Sequence, residues 1–141
     1  MDLEFVIARL KASTSGIRAI GGAADFDAAL AGNAVLPAAY VIPLGDSANW
    51  LGTTDVYDEA ENIDFGVVIG VTNARDARGA AAQTTLAPVR LQVRKALSGW
   101  TPDDTTGEPV RKTTGRLLRL DGDGRLWWMD RFRLKTYFSE E

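Results

Sequence analysis

The stretch Ile63-Asp64-Phe65-Gly66-Val67-Val68-Ile69-Gly70-Val71 decides how this chain is read. Its odd positions are all large and apolar, and they alternate with Asp64, Gly66, Val68 and Gly70. That two-residue period is the signature of a half-buried β-strand. Gly66 and Gly70 on the second face predict a close approach by backbone or by another chain, although a glycine inside a strand equally suits a bulge.

Upstream of this strand, Ala38-Ala39-Tyr40-Val41-Ile42 reads as a second strand, which Pro43 confines to an edge or ends at about Leu44. Residues 45–62 hold Gly45, Asp46, Ser47, Asn49, Gly52 and a cluster of acids, so they read as a long loop with Trp50 standing in it. A loop of this length inside a compact domain is usually functional, and an aromatic in it is a candidate anchor for a partner.

Farther upstream, Leu3, Val6, Ile7 and Leu10 follow the spacing of one helix face and predict a helix over about residues 2–13. Ile17 to Ile20 suit a short strand, and Asp25 is placed to cap a short helix that Gly32-Asn33 closes.

Downstream, Asn73-Ala74-Arg75-Asp76 turns into a longer helix with Asp76 as its N-cap and Ala82, Leu86, Val89, Val93 and Leu97 as its buried face. Arg90, Arg94 and Lys95 lie toward its C-terminus, where the helix dipole favours cations, and Pro88 predicts a kink. After a polar connection over residues 101–111 the chain ends in a hairpin. Thr113–Leu120 and Arg125 to about Phe138 form its strands around Asp121-Gly122-Asp123-Gly124. The last strand alternates Leu126, Trp128, Phe132, Leu134 and Phe138 with Arg125, Trp127, Met129, Arg131, Arg133, Lys135 and Tyr137. Asp130 interrupts the apolar set, which requires either a shift of register or a buried cation.

These elements predict a single α+β domain of 141 residues, an antiparallel sheet of about four strands packed with two main helices on one side. The apolar share of 45% and charged share of 25% fit an ordinary globular core. A net charge of −3, from 16 basic and 19 acidic residues, provides no chain-wide attraction to nucleic acid or an anionic membrane. No apolar stretch is long enough to span a bilayer and the first residues lack a basic secretory n-region, so the chain reads as cytosolic, with no membrane partner.

The sequence holds no histidine and no cysteine. Most hydrolytic triads, thiolate chemistry and most zinc or iron sites are thereby excluded. Carboxylate chemistry needs two acids facing across a cleft. The available groups, Asp25/Asp27, Asp58/Glu59/Glu61, Asp103/Asp104 and Asp121/Asp123, lie beside glycine, proline or polar residues and read as caps and turns. Asp121-Gly122-Asp123-Gly124 is too short a ligand series for a calcium loop, and no glycine run matches a dinucleotide or Walker pattern. The expectation is a non-enzyme with no catalytic residue, no cofactor and no metal.

What remains is surface. Arg131, Arg133 and Lys135, interleaved with Trp127 and Tyr137, suit a protein interface or a nucleic-acid backbone, and equally a solvated edge strand. Arg75, Asp76 and Arg78 read as capping and surface pairing or as a contact with a neighbouring subunit. Together with Trp50 these are the interface candidates.

Three groups of residues also resemble a known family. They are the opening Phe5-Val6-Ile7-Ala8-Arg9-Leu10 with Gly21-Gly22-Ala23-Ala24-Asp25-Phe26, then Pro37-Ala38-Ala39-Tyr40-Val41-Ile42-Pro43-Leu44, and finally Asn73-Ala74-Arg75-Asp76-Ala77-Arg78-Gly79 with Gly124-Arg125-Leu126-Trp127-Trp128-Met129-Asp130. In that order they resemble the tail terminator-like proteins of long-tailed bacteriophages and prophages. The resemblance implies a structural subunit that assembles with itself as a ring, a hexamer, on the head-proximal end of the tail tube in the bacterial cytoplasm. Its implied partners are the tail tube protein and a head–tail connector or neck protein, with no specific nucleic-acid binding. The alternatives are another neck, tail-completion or minor tail subunit, and a nucleic-acid-binding module.

Overall fold

The computed structural model describes residues 3–33, 35–50, 57–72, 80–102, 108–121 and 124–140. Among these, the element order is α1 (Glu4–Ser13), β1 (Ala19–Gly21), α2 (Ala23–Ala28), β2 (Ala38–Trp50), β3 (Tyr57–Thr72), α3 (Ala80–Leu97), β4 (Arg111–Leu120) and β5 (Arg125–Glu140). A wider helical turn, Ala29–Asn33, continues α2 until Gly32 closes it at φ 114°. The strands make one five-stranded sheet in the order β1-β2-β3-β5-β4. All pairings are antiparallel except β1 with β2, which is parallel. The α+β class is as expected. The fifth strand is the three-residue β1, and α2 is a third helix with its own place in the core.

β3 lies at the centre of the sheet and is covered on both faces. Phe65, Val67, Ile69 and Val71 join Val6, Leu10, Val89, Val93 and Leu97 in the main core beneath α1 and α3. On the opposite face Val68 packs with Ala29, Tyr40, Trp127 and Met129, and Phe26, Leu30 and Leu36 close over them. The half-buried reading of this strand therefore needs correction, because the helices flank the sheet on two sides. The glycines explain how. A Cβ on Gly70 would collide with the Trp127 ring and come within 2.9 Å of Leu36, and one on Gly66 would come within 2.7 Å of Met129 Sδ. The close approach is made by side chains of the adjacent strand, and the glycines open the room those side chains occupy.

The expected loop at 45–62 is replaced over 45–50 and 57–62 by paired strand, while 51–56 lie outside the described residues. Pro43 does not end β2. Ladder pairing resumes after a register shift between Pro43 and Gly45 and runs from Gly45↔Asp64 to Trp50↔Glu59. Proline is tolerated because β1 covers β2 only at Ala38–Tyr40, so from Pro43 onward β2 has an open side on which a missing N–H costs no pairing. With β5 paired as far as Glu140, strands β2, β3 and β5 continue past the helices as a three-stranded arm.

Helix starts differ in detail. α1 begins at Glu4 and α2 at Ala23, so Asp25 is not the N-cap; its carboxylate accepts the Gly22 N–H at 2.9 Å from inside the first turn. α3 runs continuously through Pro88, with Leu86, Val89, Val93, Ala96 and Leu97 buried; the side chain of Ala82 lies outside the described residues. The connection at 101–111 is described only at its ends, and β4 begins at Arg111.

Candidate interaction surfaces

β5 carries the residues read from sequence as an interface, and the structure divides them. Trp127 is 1% exposed, with ring centroids 5.7 Å from Phe26 and 6.5 Å from Tyr40. It is a core residue of the α2 side, which corrects its reading as a surface aromatic. Burying so large an apolar side chain stabilises the fold by about 1.5–3 kcal/mol, a contribution that presenting it to a partner would forfeit. Beyond Met129 the α2 cover ends, and the same face of β5 turns outward. Arg131 and Arg133 are exposed there and Lys135 is half-buried.

Arg133 lies opposite Asp64 in the β3–β5 register and grips it, Nε to Oδ1 at 2.8 Å and Nη2 to Oδ2 at 3.3 Å. This hydrogen bond, and then the carboxylate charge, raise the guanidinium pKa above its ordinary value. Lys135 Nζ sits 5.6 Å from the Tyr137 ring, and the Tyr137 hydroxyl donates to Glu108 Oε1 at 2.9 Å. The face is thus a mixed-charge surface rather than a run of uncompensated cations, and a phosphate backbone would find a carboxylate among them. Trp50 is 64% exposed near the end of the arm. Arg75, Asp76 and Arg78 lie outside the described residues.

Sequence reasoning missed a second surface, on the other side of β5. Asp130 is only 2% exposed. It accepts Arg90 Nε at 3.0 Å, Arg90 Nη2 at 2.9 Å and Trp128 Nε1 at 3.0 Å, with Lys112 Nζ at 3.9 Å. The Arg90 guanidinium also lies 4.5 Å from the centre of the Trp128 ring. Of the two sequence alternatives for Asp130, the cation is realised, by the partly buried Arg90; the register of β5 against β3 is unbroken there, and the shift beside Asp130 falls in β4, between Lys112 and Gly115. Gly115 has to be glycine, for its Cβ would collide with Asp130 Oδ1. The break in apolar alternation signalled that a cation was needed, but Arg90 was read as a helix-dipole cation because nothing local ties it to a residue 40 positions away.

Around this pair, α3 and β4 enclose two adjoining clefts of about 310 and 200 Å³, lined by Leu86, Ala87, Leu91, Arg94, Leu117 and Trp128 together with the ion pair itself. Leu91, Leu117, Leu118 and Leu120 are exposed large apolar residues, and all but one of them lie on β4. β4 is the terminal strand of the sheet, so its outer row of N–H and C=O groups has no strand partner among the described residues.

Of the acids weighed for catalysis, Asp25 and Asp121 have structural work, while Asp103, Asp104, Asp123 and the side chain of Asp58 lie outside the described residues. Asp25 holds the start of α2, and Asp121 pairs with Arg119 at 2.5 Å and Arg125 at 3.7 Å in the final turn. Among the described residues no group of three or more metal-ligating side chains could hold an ion, and no helix is long and apolar enough to cross a membrane.

The described residues thus present open sheet edges, an exposed tryptophan and a cleft with apolar walls. A profile of the phage tail terminator protein family matches residues 1–140, nearly the whole chain. The chain belongs to that family, as the resemblance of its segments implied. The family is structural and its members are components of phage tails. No curated protein matches the chain.

Proposed function

We propose that this protein ends the growth of a phage tail tube. Subunits assemble as a closed ring, a hexamer, on the head-proximal end of the tube, block addition of further tube protein and present the surface to which the head–tail connector binds. The match to the terminator family over residues 1–140 carries this reading. The fold supports it: a ring needs two different patches on each subunit that fit one another and close. The arm and the α3–β4 cleft are two such patches at opposite edges of one sheet. On the outward face of β5, Arg131, Arg133 and Lys135 are then contacts to protein rather than to nucleic acid.

Electron microscopy of tails assembled without this protein is the test. Tubes of abnormal and variable length are expected. Tubes of normal length that fail only to join heads would assign the protein to neck completion instead.

A further inference from the structure

We infer that neighbouring copies of this chain join edge to edge, the β2–β3 arm of one subunit lying antiparallel along β4 and over the α3–β4 cleft of the next. The assignment rests on the ring reading above and specifies its contact.

Charge is the first observation. From Ala19 to Ala74 the chain has no lysine or arginine and eight carboxylates, whereas 13 of its 16 basic residues follow Ala74. Among the described residues the sheet separates part of these two populations, with acids on and beside the β2 edge and only cations on the β4 edge. β2 carries Asp46 and its neighbour β3 carries Glu59, Glu61 and Asp64. β4 carries Arg111, Lys112, Arg116 and Arg119 with no acid, beside Arg90 and Arg94 of α3. A subunit polarised in this way repels a like edge and attracts the opposite edge of another copy, which selects a head-to-tail contact.

Backbone is the second. β2 from Leu44 to Trp50 has no strand partner on its outer side among the described residues, and neither does β4 from Arg111 to Leu120. Long free edges are templates for strand addition. Along the sheet β2 and β4 run in opposite directions, since three successive antiparallel pairings separate them. Rotation about a ring axis preserves strand direction, so β4 meets the next copy's β2 antiparallel. The free stretches are offset along the strands, a stagger that strand tilt supplies when a sheet closes.

Facing is the third. A rotation also keeps the α1/α3-covered face of each sheet on one side of the ring. In the β2–β3 register Asp46, Trp50, Glu59 and Glu61 fall on the same face as Ile63 and Phe65, the α1/α3 face. Lys112 and Leu117 of β4, opposite Phe132 and Trp128, are on that face too, where Arg94 and Leu91 border the cleft. The acids and the exposed tryptophan of one copy therefore meet Arg94, Lys112, Leu91 and Leu117 of the next, while Arg111, Arg116 and Arg119 fall on the other face of β4.

Charge reversal tests this. One variant carries Asp46→Lys and Glu61→Lys, a second Arg94→Glu and Lys95→Glu, the latter an exposed residue one turn beyond Leu91 on α3, and a third all four changes. Each is checked for folding by circular dichroism, then incubated with purified tail tubes, chemically cross-linked and imaged. Either pair alone is expected to lower ring formation by about tenfold or more. The fourfold variant is expected to recover it, since attraction is restored with its sign inverted; a lost contact to the tube would not recover. Half-reversed variants that form rings like the unaltered chain would overturn the edge pairing and leave the ring reading standing, as would a fourfold variant no better than its halves. An unaltered chain that forms no ring on tubes would overturn both.

Discussion

Arg90 on α3 holds the buried Asp130 of β5 by two hydrogen bonds, at 3.0 and 2.9 Å, while its guanidinium lies over the Trp128 ring. One side chain thus clamps the long helix to the hairpin. The two ends of the pair differ in exposure, 33% for the Arg90 side chain and 3% for that of Asp130. Removing the cation leaves a carboxylate that water cannot reach, whereas removing the anion leaves a guanidinium that water partly solvates. Arg90→Met is expected to cost about 3 kcal/mol or more, and Asp130→Asn, which keeps an acceptor for Trp128, about 1–2 kcal/mol. Urea unfolding of both variants checks the order. A larger loss from Asp130→Asn would show that the stranded guanidinium, not the stranded carboxylate, carries the penalty.

The glycines of β3 differ in what opposes them. Gly70 faces the buried Trp127 ring, which packs in a three-ring cluster with Phe26 and Tyr40, whereas Gly66 faces the thioether of Met129, a flexible chain. Gly70→Ala should destabilise by about 1–3 kcal/mol through overpacking, and Gly66→Ala by less. Combining Gly70→Ala with Trp127→Leu should cost less than the two changes summed, and a double-mutant cycle reads that coupling.

Tyr40 has a raised pKa, first through burial and second through the charge of Asp25. A folded-state pKa above the unfolded value of about 10 means that the tyrosine's contribution is complete below that pH. It is lost as the pH rises through the higher folded-state value. Denaturant titrations at alkaline pH should show stability falling above about pH 10, and less steeply in Tyr40→Phe, with the difference between the curves isolating this residue.

Trp50 is exposed on the arm, so Trp50→Ala should change stability by no more than about 0.5 kcal/mol. Capping of tubes should nonetheless fall sharply, because an aromatic anchor carries a large share of contact energy. Thermal unfolding and tail-length distributions measure the two separately. Normal capping by this variant would remove Trp50 from the contact surface.

Local pattern revealed where the strands and helices lie. Alternation placed β3 and β5, four-residue spacing placed α1 and α3, and Asp121 to Gly124 placed the final turn, since backbone period is a local property. Pattern failed at β2, where Pro43 and a polar run imitate a loop. The strand persists there because β3 supplies a ladder partner that tolerates the register shift. Of the surface, Arg131 and Arg133 were legible as outward residues, whereas Arg90 and β4 were not, because their importance lies in what they touch.

The sequence by itself determined the class of this protein. Missing histidine and cysteine removed the usual catalytic side chains, periodicity set an α+β domain, and the order of segments carried the terminator family. Only the tertiary structure decided which faces are inside. Alternation states that Trp127 and Trp128 point to opposite sides of a strand, and it is silent on what covers either side. Here α2 seals Trp127 into a second core, while Trp128 leans on Arg90 at the rim of the α3–β4 cleft. Burial and pairing are set by chain brought together across long sequence separations, so the same alternating strand can serve as core at one end and as surface at the other.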